Sequence, residues 1–344
     1  MFRQDRTNPS TAVSNWKGRR DTKRGHTQTA VSNWLNGGLF GPGEYVLGST
    51  GGYWGGGTGM VGSLDRLRFE VDVIDTITVG AMSTYLYAVG LSDDGTACYL
   101  AMDYFSSPTA DNIFKMTYAN DVSAVITETI TTKRYSTTGL GDEDRGLWIG
   151  GYNGDLTPGR RNETGVFVYA TESESEGTDI GTAKTSSIGV SGDSFGYVVG
   201  GYTDSGESAT CDKMTYTGGR SAGQSVPTAA SGGTGCSNRD TAGYVFTPNI
   251  GGSPYDDVWK LTYATETFST LSDVTPGGYN GHASGRGTGV NDGGDFGWLG
   301  GLNRSNIPNP SKIAFASDTF SVVSWSHSNG SMYNCAAFAN GWTA

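Results

Sequence analysis

The sequence predicts an all-β fold: a six-bladed β-propeller preceded by an extended N-terminal arm. Three observations lead there. A segment of about fifty residues recurs six times, and aligned on Gly55, Ala101, Gly150, Gly200, Thr247 and Gly300 the steps are 46, 49, 50, 47 and 53 residues. A fixed period of that size marks stacked units or propeller blades. Each copy then carries an apolar residue, a spacer and an aromatic, at Leu67/Phe69, Met116/Tyr118, Phe167/Tyr169, Met214/Tyr216, Leu261/Tyr263 and Ile313/Phe315. The i, i+2 spacing puts both side chains on one face of a strand. Finally, glycine fills 55 of 344 positions, about twice the usual share, with no three-residue period of the collagen kind. Helical periodicity is weak, and short runs rich in Val, Thr, Tyr, Phe and Trp dominate.

Taken in order, residues 1–44 form the expected arm and residues 45–344 the propeller. Four strands are expected per blade. The first is rich in small residues, as in Ser136–Gly141, Ser186–Val190, Ser231–Gly235 and Cys335–Phe338. Strands that converge on an axis have room only for such residues. The second is an apolar strand ending on glycine, as in Gly146-Leu147-Trp148-Ile149-Gly150-Gly151 and Phe296-Gly297-Trp298-Leu299-Gly300-Gly301. The third holds the apolar-x-aromatic pair. A tight polar reversal such as Ala264-Thr265-Glu266-Thr267 leads to the fourth. Four-stranded units repeated radially make a propeller. The blades fall at roughly 52–79, 85–130, 134–183, 185–227, 230–272 and 283–325. The small-residue pattern occurs a seventh time, at Tyr45-Val46-Leu47-Gly48. The C-terminal copy, 332–338, is better matched in spacing and is expected to close the first blade, a tie between chain ends that pairs free edges.

Lys133-Arg134-Tyr135-Ser136 through Gly150-Gly151, and Asp257–Tyr263 through Phe268–Leu271, resemble kelch-type repeats over residues 45–344. The double glycine is lost at Ala101-Met102 and Thr247-Pro248. The resemblance implies a kelch-like architecture in which the links between second and third strands, and between blades, share one variable face. Tyr152, Asp155, Tyr202, Asp204 and Tyr279 on those links are the candidate ligand face. Tyr presents an apolar body with a polar tip, and variable loops on a rigid scaffold are where binding usually sits. The same aromatics can serve as blade packing.

Little in the chain supports catalysis. His26, His282 and His327 are far apart in sequence and in no metal-ligand spacing. Cys98, Cys211, Cys236 and Cys335 also lack such spacing and read as buried thiols, with a Cys211–Cys236 bridge left open. Acidic turns at Asp93-Asp94, Asp142-Glu143-Asp144 and Asp256-Asp257 fit either polar reversals or calcium ligands. The Asp-box turns of sialidase-like propellers are matched only off-register, and a kelch-type copper oxidase needs more histidines. The expectation is a non-enzymatic protein with no cofactor and no metal.

Charge is unevenly placed. Residues 1–26 carry a net +5 and the remainder −16. An acidic body argues against nucleic acid and anionic membrane as partners, and no run approaches the roughly 20 apolar residues of a membrane span. The first residues hold no apolar run, so no secretory leader is expected there. The arm repeats Thr11-Ala12-Val13-Ser14-Asn15-Trp16 as Thr29-Ala30-Val31-Ser32-Asn33-Trp34, with a basic run between. Trp16 and Trp34 read as paired anchors, and Arg19, Arg20, Lys23 and Arg24 as charge for an acidic partner.

The body also resembles the glycine-rich, kelch-like propellers among tail and fibre proteins of marine bacteriophages. That resemblance implies a virion structural protein, assembled in the host cytoplasm as part of a larger assembly. Its arm would dock onto another virion protein, and its propeller would be a spacer or face a host glycan or protein. The rival expectation is a soluble carbohydrate- or protein-binding module, and a head decoration protein or propeller glycosidase comes third.

Overall fold

A computed structural model describes residues 51–55, 63–69, 73–78, 89–93, 95–101, 111–246, 249–254, 258–271, 288–292, 294–300, 311–323 and 336–340. They build a six-bladed β-propeller with no helix among them, hence none long and apolar enough to cross a membrane.

The first blade holds β1 (Gly51–Gly55), β2 (Ser63–Arg68) and β3 (Val73–Thr78). The second is β4 (Val89–Ser92), β5 (Ala97–Ala101), β6 (Asn112–Thr117) and β7 (Val122–Thr129). The third is β8 (Thr138–Gly141), β9 (Arg145–Ile149), β10 (Thr164–Val168) and β11 (Ser173–Glu176). The fourth runs β12 (Ile188–Ser191) and β13 (Phe195–Val199), then a small hairpin of β14 (Tyr202–Thr203) and β15 (Gly206–Glu207), then β16 (Cys211–Thr215) and β17 (Arg220–Ala222). The fifth repeats that plan with β18 (Thr234–Ser237), β19 (Ala242–Phe246), the hairpin β20 (Asn249–Ile250) and β21 (Ser253–Pro254), β22 (Val258–Thr262) and β23 (Thr267–Leu271). The sixth is β24 (Thr288–Asn291), β25 (Phe296–Gly300), β26 (Ser311–Ala314) and β27 (Thr319–Val322). The last strand, β28 (Ala336–Asn340), returns to the first blade and pairs antiparallel with β1, giving the order β28-β1-β2-β3.

The innermost strands β28, β4, β8, β12, β18 and β24 each pack on the next, and β24 packs on β28. Glycine at their centre makes this approach possible. A methyl group at Gly139 would come within 2.9 Å of the carbonyl oxygen of Gly90, and one at Gly189 within 2.5 Å of Gly139. Gly235 and Gly289 meet the preceding glycine's carbonyl still more closely.

The hydrogen-bond register corrects the sequence alignment by one residue. Matching Trp148 with Trp298 sets Gly150 against Gly300. In the ladders, Gly146 lies opposite Gly141 and Gly297 opposite Asn291, the last residues of their inner strands. Trp298 is therefore the counterpart of Leu147, and Gly300 of Ile149. Gly150 and Gly200 sit just past the ladder with φ of +63° and +59°. The N–H groups of the glycines after them donate to Lys184 O (2.9 Å) and Ala230 O (2.8 Å), tying each blade to the segment that leads into the next.

A three-part contact joins neighbouring blades on the turn side. An aromatic on the second strand stacks on the aromatic that follows the third strand of the next blade. The pairs are Tyr53–Tyr118, Tyr99–Tyr169, Tyr197–Tyr263 and Tyr244–Phe315, with Trp298–Phe69 joining the sixth blade to the first. A cation on the third strand then reaches a carboxylate in the next blade's turn: Arg66–Asp121 (2.7 Å), Lys115–Glu172, Lys213–Glu266 and Lys260–Asp318 (2.7 Å). All four acids sit at positive φ, between 49° and 53°, a conformation that side chains adopt only at some cost. Tyr99 OH and Tyr244 OH donate to Glu172 and Asp318, so one carboxylate serves two groups of the preceding blade. Burial, followed by that neighbouring carboxylate, pushes both phenols above their ordinary range.

Candidate functional site

The link between second and third strands takes a different form in the third, fourth and fifth blades, and these links join side by side. In the third blade, Tyr152 exchanges backbone hydrogen bonds with Tyr135 at 2.8 and 3.0 Å, and the two rings lie 5.5 Å apart. Asn153, nearly buried, closes the loop that follows. Its N–H donates to Gly159 O (2.7 Å), and its side-chain oxygen accepts the N–H of Asp155 (2.9 Å). Asp155 and Leu156 are left at the tip, with Leu156 43% exposed.

Arg160, at the end of this loop, crosses to the fourth blade. Its guanidinium lies 5.0 Å from the centre of the Tyr202 ring and pairs with Asp204. Tyr202 and Asp204 belong to the β14–β15 hairpin, which turns on Gly206 (φ +114°). Glu207, leaving that hairpin, accepts the N–H of Gly251 (2.6 Å) and of Gly252 (3.3 Å) at the tip of β20–β21 in the fifth blade. The result is a continuous crown of loops across three blades. Tyr202 is 42% exposed and Asp204 more so.

Of the expected ligand-face residues, the structure brings Tyr202 and Asp204 together and joins them through Arg160 to the loop of Tyr152 and Asp155. Tyr152 packs its ring on Tyr135 between links. Tyr279 and the arm residues Trp16, Trp34, Arg19, Arg20, Lys23 and Arg24 lie outside the described residues. So do Cys335 and all three histidines. Arg160, Asn153 and Glu207 escaped the sequence reading, because no pattern distinguishes a charge that bridges two blades from one that faces solvent.

Beneath the crown lies a buried charge network. Lys184, fully buried, places Nζ 3.0 Å from Asp212 Oδ2 and 3.2 Å from Thr210 Oγ1. Arg220 donates to Asp212 Oδ1 (2.7 Å), and so does the N–H of Gly181 (3.2 Å). Burial alone would raise the Asp212 carboxyl, but Lys184 and Arg220 outweigh it and hold the group below the ordinary carboxylate range. At Lys184 the balance tips the other way, and burial lowers the ammonium pKa despite the facing carboxylate. Two cations share one anion, so the anion gains more than either cation. At the corresponding place in the third blade, Arg134 is buried and donates to Trp148 O at 3.0 Å, with burial lowering its pKa to about 10.

On the turn face, three acids bind their own turns. The Oδ1 atoms of Asp93, Asp142 and Asp292 accept backbone N–H groups of their own turns at 2.7 to 3.4 Å. No cluster of metal-ligating side chains occurs among the described residues. Cys211 and Cys236 are free, buried and in adjacent blades, which settles the bridge left open by the sequence. Burial pushes the Cys211 thiol up to about 12. The sequence matches no family model and no curated protein.

Proposed function

We propose that this chain is a non-enzymatic structural protein of a bacteriophage virion, associated with the tail or fibre. Its arm docks onto another virion protein, and its propeller is displayed with the loop crown outward. The observation that supports display best is the contrast between the faces. On the turn face, Asp93, Asp142 and Asp292 bind their own turns, and Asp121, Glu172, Glu266 and Asp318 pair with cations of the preceding blade. On the crown, Leu156, Tyr202, Asp155 and Asp204 are offered to solvent on loops cross-braced between blades. A braced surface meets a partner with little ordering cost. The basic arm with its duplicated Trp-ended hexapeptide supports docking, and the resemblance to marine phage propellers supports the setting. The architecture is read as kelch-like on the same footing.

Removal of residues 1–36 is expected to abolish incorporation into particles while leaving the thermal unfolding of the propeller unchanged. Normal incorporation of the shortened chain would dismiss the docking role. The second reading, a soluble carbohydrate- or protein-binding module, draws on the exposed Tyr202 beside Asp204. It predicts ligand capture by the isolated propeller that Tyr202→Ala removes, with no dependence on the arm.

A further inference from the structure

We infer that the inner edge of β1 is a strand-acceptor site, which takes its occupant from a second copy of this chain as well as from the chain's own C-terminus. In the other five blades the inner strand joins its neighbour through a short turn, as from Gly141 to Arg145 or Ser191 to Phe195. The strand on β1 instead arrives from the far end of the sequence, with pairs running from Gly51↔Asn340 to Gly55↔Ala336. Among the described residues, it is held by the ladder and by packing on β4, β5 and β24. Those interactions are the same whichever copy supplies the strand. Exchange of an identical element is a low-cost route to association, and a five-residue strand that no turn joins to β1 is among the least costly to release.

The walls of the slot do not depend on its occupant. Trp298 stacks on Phe69 at 4.7 Å, holding the sixth blade to the first. Tyr53 stacks on Tyr118 at 5.3 Å and Arg66 pairs with Asp121, holding the first blade to the second. The occupying strand reads Ala336-Ala337-Phe338-Ala339-Asn340. Backbone pairing supplies the remaining affinity without regard to side chains. The sequence also carries seven segments of the inner-strand pattern for six inner positions. The extra one, Tyr45-Val46-Leu47-Gly48, directly precedes β1 and lies outside the described residues.

The test uses the full chain, refolded from denaturant over a range of protein concentrations, with and without a large excess of a fluorescent peptide of residues 331–344. At high concentration a dimer is expected that persists for hours after dilution. The peptide should suppress this dimer and be retained at one per chain, whereas a peptide carrying Ala337→Asp and Ala339→Asp should wash away. Retention of the unaltered peptide supports the acceptor site by itself. Monomer at every concentration with no retained peptide overturns the inference, as does a dimer that the peptide leaves intact.

Discussion

The junction between the second and third blades and the junction between the third and fourth occupy equivalent places and use opposite chemistry. The first has Tyr99 stacked on Tyr169, with Lys115 reaching Glu172. The second has Leu147 and Val166, both buried, against Tyr216 and Gly218. The aromatic, the cation and the left-handed acid are all replaced together. The turn changes as well: two residues separate Tyr216 from Gly219, where three separate Tyr169 from Ser173. The shorter turn brings Gly218 so near that a methyl group on it would lie 2.7 Å from Val166 Cγ2. The difference teaches that what repeats around the propeller is a matched set. A single exchange strands a charge or opens a gap, while a complete exchange costs little.

The apolar junction has its charges elsewhere, in the Lys184–Asp212–Arg220 network, and breaking that network should have the largest effect. Asp212→Ala leaves an ammonium fully buried with no anion, and the expected loss is about 3–5 kcal/mol in urea unfolding. Adding Lys184→Met should recover most of it, since a similar apolar side chain needs no counter-charge. A loss under about 1 kcal/mol for the single variant would show that the network is not what secures this junction.

The same carboxyl predicts an acid limb. Its folded pKa lies below the ordinary value, first because Lys184 and Arg220 overcome burial, then because Gly181 N–H donates to it. The stability it contributes is fully present above the unfolded pKa of about 4 and is lost as pH falls through the folded value. Melting temperature should therefore drop below about pH 4 in the native chain and drop less in Asp212→Asn. Parallel curves for the two chains would assign the acid limb to other groups.

Exchanging one member between the two junctions sharpens the contrast. Val166→Lys sets an ammonium against Gly218, the glycine that stands where Glu172 stands in the other junction, at an expected cost of about 1–3 kcal/mol. Lys115→Val leaves Glu172 a third exposed and still partly hydrated, so its cost should be about 1 kcal/mol or less. Adding Gly218→Asp to Val166→Lys should not restore the loss, because a Cβ at Gly218 would lie 2.9 Å from the Gly177 Cα. Equal costs for the two single variants would mean that the junctions are not distinct in kind.

The sequence shows the fold for a physical reason: repetition reports the period, and the i, i+2 pairs report the strands. The aromatics of the third strand mark the blade contacts because a large ring at a fixed place has one use in a propeller. Finer register is less legible. Trp148 and Trp298 invite alignment by size, but hydrogen bonds align Gly146 with Gly297 instead. The left-handed acids are present in the sequence as Asp121, Glu172, Glu266 and Asp318, where they read as ordinary polar turn residues. Only the neighbouring blade's cation reveals their role. The candidate site is the least legible part. Tyr202 and Asp204 are visible as loop residues, but the Arg160 that joins them to the third blade lies 44 positions before Asp204 in sequence.

The smallest expected effect separates the two junctions most cleanly. A double-mutant cycle of Lys115→Ala and Glu172→Ala measures the pair free of each side chain's other contacts. Both groups are about a third exposed, so water and ions reach them. The coupling should be about 0.5–1 kcal/mol at low salt and should shrink towards zero near 1 M, where the screening length falls to about 3 Å. The corresponding cycle of Val166→Ala and Leu147→Ala involves only apolar packing. Its coupling should hold or rise slightly with salt, since excluded salts strengthen apolar burial. If both couplings respond to salt alike, the ionic pair adds nothing specific to its junction, and stacking of Tyr99 on Tyr169 is what joins the second blade to the third.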